Sequence, residues 1–214
     1  MRKVNIITDL RPGKHHIFEA NLIGGFAKNK AVLDIGCWTG QFLSLLENFS
    51  KCTGLEPETE AVKFANTRRK GKYVVGTALN LPFKNESFDL VTMWDVLEHL
   101  PKNSEDQAVR EVARVLKKGG WFGFSTVTTH PLAILLDPAF FLIGHRHYSE
   151  KFLKDLFVNR GLKLFKIIYT GDIGTLIKDN INLLGKYVLG RSVVPENEIH
   201  PGGFVQIHIL AQRK

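Results

Sequence analysis

Two acids and a pair of glycines carry most of the chemistry that this sequence announces. Asp34 lies in an apolar run, Ala31 to Ile35, and Gly36 and Gly40 follow with Cys37, Trp38 and Thr39 between them. A short continuous apolar run ending in turn residues reads as a buried strand of a parallel sheet. Glycine lets such a turn bend tightly and approach a ligand closely. The spacing of Phe42, Leu43, Leu45 and Leu46 predicts a helix next, whose first N–H groups would face a carboxylate or phosphate. The second acid, Glu56, ends the following apolar segment and precedes Pro57. An acid one strand-helix-strand unit after the first turn accepts hydrogen bonds from ribose hydroxyls in nucleotide-binding sheets. The glycines do not have the G-x-G-x-x-G spacing of a pyrophosphate cradle. Asp34 would repel a pyrophosphate, whereas it suits a cationic amino group.

Positioning these residues takes an alternating series of elements. Ile17, Phe18, Leu22, Ile23 and Phe26 predict a helix over 15–27, after a loosely structured start. A second helix is predicted over 58–69, a third strand over 73–76 and a fourth over 88–93. Ser104 to Gln107 has the form of a capping box. The helix after it buries Val109, Val112, Ala113 and Leu116, with Lys117 and Lys118 at its C-terminal end and Gly119-Gly120 as its stop. A fifth strand is predicted over 121–127. An apolar insertion, 131–144, then leads through His145-Arg146-His147-Tyr148 to a helix capped by Ser149 and running to Asn159. A sixth strand over 162–169, a second helical insertion over 176–189 and a last strand over 204–211 complete the order. Strands alternating with helices in this way make an α/β, doubly wound, Rossmann-like sheet.

The 214 residues suit one domain with one well-buried core. Met1-Arg2-Lys3 leads into a mixed segment, so no signal peptide is expected. The 131–144 stretch holds Asp137 and Pro138 and is too short to span a bilayer. Cys37 and Cys52 make no disulfide framework and read as small buried residues in a reducing, cytoplasmic setting. A net charge of +8 could indicate nucleic acid. The basic residues are scattered, however, and their densest run, Arg68 to Lys72, reads as a solvated loop. There is no basic stripe interleaved with aromatics.

Five segments in order resemble the class I S-adenosylmethionine (SAM) dependent methyltransferases, in the group that includes quinone, lipid and other small-molecule enzymes. Val32 to Gly40 resembles that family's D-x-G-x-G-x-G motif, and Glu56 stands at its ribose-binding acid. Asn80 to Phe83 with Ser87 to Val91 resembles its LPF…SFDLV segment. Asp95 to Leu100 resembles its LEHL motif, and Glu111 to Gly120 its E-x-x-R-V-L-K-x-G-G motif. The resemblance implies a seven-stranded sheet with helices on both faces, mostly parallel with an antiparallel last strand. It implies a single domain, 1–214, with 1–30 as a cap and 128–148 and 171–202 as insertions over the substrate side. It implies SAM as cofactor and S-adenosylhomocysteine as product. Asp34, Gly36, Cys37, Trp38 and Gly40 would hold the methionine end, Glu56 and Pro57 the ribose, Thr77, Ala78 and Leu79 the adenine, and Trp94 and Asp95 would close the pocket. Trp38 replaces the motif's middle glycine, and Thr77 or Ala78 stands where many members carry an acid contacting the adenine amino group.

Methyl transfer from a sulfonium is an in-line displacement that demands alignment and exclusion of water. A base is needed only where the acceptor must lose a proton. His130, after the fifth strand, is the first candidate, and His99 in the LEHL motif the second. His145 and His147 could be ligands or bases, although surface and helix-start positions are commoner. In some quinone-type members an acid-x-x-Glu-His cluster binds a divalent ion. Asp95, Glu98 and His99 have that form, but the same letters occur in members that bind none, so no metal is expected. The chain lacks the N/D-P-P-Y/F motif of base amino-methylating members, and no cysteine follows Cys52 to attack cytosine C5. The expected acceptor is therefore a small, apolar or amphipathic molecule. An RNA acceptor and a SAM-binding scaffold are the alternatives. The leucine- and phenylalanine-rich insertion would also allow peripheral contact with a membrane. The sequence leaves the oligomeric state open.

Overall fold

In the computed structural model, which describes residues 11–137, 140, 144–189, 194 and 201–214, seven strands build one sheet. They are β1 (Ala31–Ile35), β2 (Lys51–Glu56), β3 (Lys72–Val75), β4 (Phe88–Trp94), β5 (Leu116–Val127), β6 (Leu162–Thr170) and β7 (Gln206–Arg213). The helices are α1 (Lys14–Ala27), α2 (Thr59–Arg68), α3 (Glu105–Val115), α4 (Pro131–Leu135), α5 (Glu150–Val158) and α6 (Ile173–Leu189). The expected start at 1–10, residues 138–139 and 141–143 of the first insertion, and 190–193 and 195–200 of the second lie outside the described residues. No described helix is long and apolar enough to cross a membrane.

Strand order is β3-β2-β1-β4-β5-β7-β6. The first five strands pair in parallel, and β7 runs antiparallel between β5 and β6. The order reverses between β1 and β4, where Asp34 lies level with Thr92. Ligands bind in the crevice beyond the carboxyl ends of the strands at such a switch point. Alternate residues of β1 serve opposite faces of the sheet. Val32 joins Ile23, Ala27, Val62 and Leu90 on the face covered by α1 and α2. Leu33 and Ile35 join Val91, Val109, Phe122, Phe124 and Phe157 on the face covered by α3 and α5. The same alternation sends Asp34, Thr92 and Trp94 toward α1.

Three local expectations are corrected. The segment after the glycine turn forms a 3₁₀ turn, Leu43–Leu45, in place of a helix. There Leu45 N–H donates to Phe42 O, while Glu47 turns away to accept from Gly71 N–H and the Tyr73 hydroxyl. So short a turn offers no helix N-terminus to an anion. Ser104 sits at the N-cap of α3, but its hydroxyl donates back to Pro101 O, and Gln107 reaches across to Leu79 O, so the capping box does not form. The helix also stops at Val115 rather than at Gly119-Gly120, because β5 begins at Leu116 and Lys117 pairs with Asp89 at 2.9 Å. Ser149 does cap its helix, accepting from Phe152 N–H at 3.2 Å.

Phe157 is fully buried and packs edge-on against Phe122 and Phe124, with centroids 5.4 and 5.1 Å away. Phe157→Ala should cost about 3–5 kcal/mol in urea unfolding, whereas the neighbouring half-exposed Val158→Ala should cost about 0.5 kcal/mol or less.

Candidate functional site

The turn after β1 is fixed before any ligand arrives. Gly36 N–H and Cys37 N–H both donate to Leu55 O, at 2.8 and 3.2 Å, and tie the turn to the end of β2. Gly36 and Gly40 have φ of +76° and +75°. A Cβ at Gly36 would stand 2.4 Å from Val96 Cγ2, and one at Gly40 would stand 2.4 Å from the Tyr73 hydroxyl. Both glycines are thus demanded by backbone conformation and by protein packing.

Trp38, in place of a glycine, keeps the left-handed conformation with φ of +45°. For a residue with a Cβ this costs roughly 1–2 kcal/mol. Its N–H donates to Glu56 Oε2 at 3.1 Å, and Glu58 N–H donates to Glu56 Oε1 at 3.1 Å. Each carboxylate oxygen has two lone pairs, so Glu56 retains acceptor capacity for a hydroxyl.

Beside this turn lies a cavity of about 170 Å³ lined by His15, His16, Glu19, Asp34, Gly36, Cys37, Trp38, Gln41, Phe42, Trp94 and Asp95. Six of the expected cofactor residues therefore come together: Asp34, Gly36, Cys37, Trp38, Trp94 and Asp95. Gly40 and Glu56 shape the turn from behind, and Pro57 is exposed. Thr77, Ala78 and Leu79 do not line this cavity. Ala78 is buried in the core, Leu79 packs against it, and the Thr77 hydroxyl accepts from Leu79 N–H at 3.3 Å. The volume suits an amino-acid-sized group, since whole drug-sized ligands occupy about 300–1,000 Å³.

The sequence reading gave 1–30 as a cap but did not single out His15, His16 and Glu19, the residues of α1 that line the cavity. Glu19, Ile23 and Ala27 recur every four residues on its buried face, and Ile17 points outward. A lone acid in register with that apolar stripe was the available signal. Gly123 is a second missed cue, because a Cβ there would stand 2.8 Å from Trp94 Cη2 and block the indole.

Electrostatically the cavity wants a cation. Asp34 is buried and accepts from the Thr92 hydroxyl at 2.7 Å; burial pushes its pKa up to about 7, with Glu56 adding to the rise and Thr92 opposing it. Burial, with Asp95 and Asp34 nearby, holds Glu19 well above the ordinary carboxylate range. Burial, then His15 and Arg69, lower His16 to about 3, so its ring is neutral at physiological pH. Glu19 Oε2 and Trp94 Nε1 are buried without a hydrogen-bond partner among the described residues. An ammonium would donate to Glu19, and a carboxylate beside it would accept from the Trp94 N–H. The residues present therefore fit the methionine end of SAM.

Cys37 and Cys52 are buried as expected, and burial raises both thiols, Cys52 to about 12. Asp95 does not join Glu98 and His99. Its carboxylate accepts from the Ser125 hydroxyl at 2.8 Å and from Gln206 at 3.0 Å, while Glu98 accepts from the Thr126 hydroxyl at 2.9 Å. His99 is held below its ordinary pKa, first by burial and then by His145, with Asp95 and Asp137 opposing. His130 caps α4, its Nδ1 accepting from Leu132 N–H at 3.3 Å, and lies on Phe204 with centroids 4.1 Å apart.

Two outcomes follow from the turn and its acids. Because a Cβ is strained at φ +45°, Trp38→Gly should be more stable than Trp38→Ala by about 1 kcal/mol, the reverse of the order at ordinary positions. Asp34 keeps its proton in the fold up to about pH 7, whereas its ordinary value is 3.8. The stability linked to it is complete below about pH 4 and is lost as pH rises through about 7, on the order of 4 kcal/mol in all. Urea unfolding at a series of pH values should show this slope, and Asp34→Asn should flatten it.

The profile of the family described as "Methyltransferase domain" matches residues 33–124, which hold the turn, Glu56 and the strand ends lining the cavity. The chain is 38% identical over 98 residues to an uncharacterized methyltransferase, YcgJ, of Bacillus subtilis, covering 42% of this chain and 38% of that protein. It is 29% identical over 121 residues to a ubiquinone biosynthesis O-methyltransferase of Nitrosomonas europaea, covering 53% and 50%. The chain spans half or less of the length of these curated relatives. Among solved structures, a SAM-dependent methyltransferase of Thermotoga maritima, described as a possible histamine N-methyltransferase, superposes with a TM-score of 0.68 at 24% identity. That match covers 94% of this chain and 89% of the other, and it bears on the fold alone. Sequence match, strand order and glycine turn agree: residues 33–124 match the methyltransferase domain family and carry its turn at the switch point of the sheet.

Proposed function

We propose that this chain transfers the methyl group of SAM to a small, apolar or amphipathic acceptor. The observation that carries the reading is the carboxyl-lined cavity at the switch point, where Glu19, Asp34 and Asp95 converge with no lysine or arginine among its lining residues. When bound, SAM supplies an electrophilic methyl carbon on a positively charged sulfur. The remaining demands fall on the protein. Glu19, Asp34 and Asp95 would hold the cationic end, Glu56 the ribose hydroxyls, and Thr77 to Leu79 the adenine edge. Trp94 and Phe42, edge-on with centroids 5.7 Å apart, would exclude water from the reacting atoms.

The acceptor would enter over the ends of β4 and β5, beside His99 and His130. His99 is kept neutral and can take a proton. The cap at His130 occupies Nδ1, so base chemistry there would run through Nε2. Ile173, Ile177 and Ile181 recur every four residues along α6 and are about half exposed, which supports an apolar acceptor. The quinone substrate class in the name of the Nitrosomonas europaea relative supports the same class of acceptor.

Calorimetric titration with SAM, S-adenosylhomocysteine and NAD tests the reading. Both sulfur ligands should bind saturably and NAD should not, and Glu56→Ala should weaken binding about tenfold or more. Since a cation favours ionised Asp34, SAM affinity should rise from pH 6 to 8 with release of a proton, read from the dependence of the heat on buffer. Failure of both sulfur ligands to bind would remove the proposal.

A further inference from the structure

The segment between β5 and α5 gathers a group of side chains that methyl transfer does not call on. Thr128, just past β5, forms a parallel bridge with Tyr148, and between them the chain leaves through α4 and returns at Gly144. Asp137, at the outgoing end, meets His145 and His147 at the returning end. His145 Nδ1 lies 2.7 Å from Asp137 Oδ2, and His147 Nε2 lies 3.0 Å from the same oxygen. The three side chains are 16, 12 and 3% exposed, respectively.

The outer nitrogens of the two rings decide what the inner ones carry. His147 Nδ1 lies 2.6 Å from Thr128 O. A carbonyl oxygen only accepts, so Nδ1 carries the proton, and in the neutral ring Nε2 presents a lone pair to Asp137 Oδ2. The outer nitrogen of His145, Nε2, is buried without a hydrogen-bond partner among the described residues and faces Glu98 Oε1 at 4.0 Å. A proton on that nitrogen would point at a carboxylate and leave Nδ1 as a lone pair toward Asp137. Two imidazole lone pairs then converge on one carboxylate oxygen, while each outer N–H faces an oxygen acceptor. Metal-binding histidines have this arrangement, with the outer N–H given to a carbonyl or carboxylate that fixes ring and tautomer. Extra protons on both rings would instead crowd two imidazolium ions around one oxygen, with the His99 ring only 4.6 Å from His145.

We propose that Asp137, His145 and His147 bind one divalent transition-metal ion, which clasps the outgoing end of the segment after β5 to its returning end. Their ligand atoms lie within 4.8 Å of one another. Ligands about 2.0–2.2 Å from a shared tetrahedral ion stand roughly 3.4 Å apart, so the 2.7 and 3.0 Å separations from Asp137 would each open by less than about 1 Å. Two imidazole nitrogens and one carboxylate, with no thiolate, suit Zn²⁺, Co²⁺ or Mn²⁺ better than Mg²⁺ or Ca²⁺, which prefer all-oxygen shells. Three protein ligands leave a position for water or for an oxygen of a bound molecule. The proposal is independent of the methyl-transfer reading, since none of the three ligands lines the cavity beside the glycine turn.

The test uses untagged full-length protein stripped with chelator and titrated with Co²⁺ and Zn²⁺. One equivalent of Co²⁺ should bind with visible absorption of low-symmetry coordination, and Zn²⁺ should raise the melting temperature. His147→Ala should weaken binding at least tenfold. Asp137→Asn, which keeps the side-chain shape should the alanine variant fold poorly, should do the same, while His99→Ala should not. Lack of stoichiometric binding in the folded protein would overturn the proposal. So would binding lost in His99→Ala but retained in His147→Ala, because the ion would then lie with Glu98, His99 and His145.

Discussion

The hydrogen bond from the Trp38 amide to the Glu56 carboxylate is the constraint on which the ligand side of this molecule depends. It joins the first two strands at their carboxyl ends and holds a bulky residue in a backbone conformation that glycine would adopt freely. With Leu55 O taking the two preceding amides, the turn becomes a fixed wall instead of a loop that closes on arrival of a ligand. Strain of this kind persists where surrounding structure over-determines it, and it clusters at functional sites.

The acids around that wall are out of balance with their surroundings. Asp34 and Glu19 are buried with neighbouring acids, and no lysine or arginine lines the cavity they share. Such a group normally neutralises itself by holding protons. The protein thus carries a latent charge that a cationic ligand can draw out, which links binding, protonation and stability at one site. Trp94, Phe42 and the neutral ring of His16 line that site and lower its polarity, which strengthens the interaction among its charges.

Much of this was legible in the sequence because it is local. The β1 run, the paired glycines, Glu56 and the alternation of strands and helices all appear where periodicity and turn chemistry place them, and the antiparallel β7 follows the resemblance. What escaped was decided by contacts across the chain. Phe42 to Leu46 have helical spacing, yet Glu47 is drawn to Tyr73 and Gly71, and the segment remains a 3₁₀ turn. Ser104 has the right neighbours for a capping box, but Pro101 O competes for its hydroxyl. Glu19 is buried by the packing of α1 over the turn, which its sequence neighbours alone do not fix. The meeting of Asp137 with His145 and His147 depends on the path of an irregular segment, which no periodicity encodes.

The placement of β7 between β5 and β6 has a consequence for how the chain matures. Among the described residues β6 lies at the sheet edge and its only strand neighbour is β7, which is also the later of the two in sequence. During synthesis β6 therefore emerges with both edges unsatisfied, while the five parallel strands can already assemble. An unpaired strand bearing Phe165, Ile167 and Ile168 is a template for pairing with another chain. The final strand acts as a keystone: until it slides in, the half-built sheet offers one open edge to any neighbouring nascent copy, and a chaperone that shields Leu162–Thr170 would have most to do in that interval.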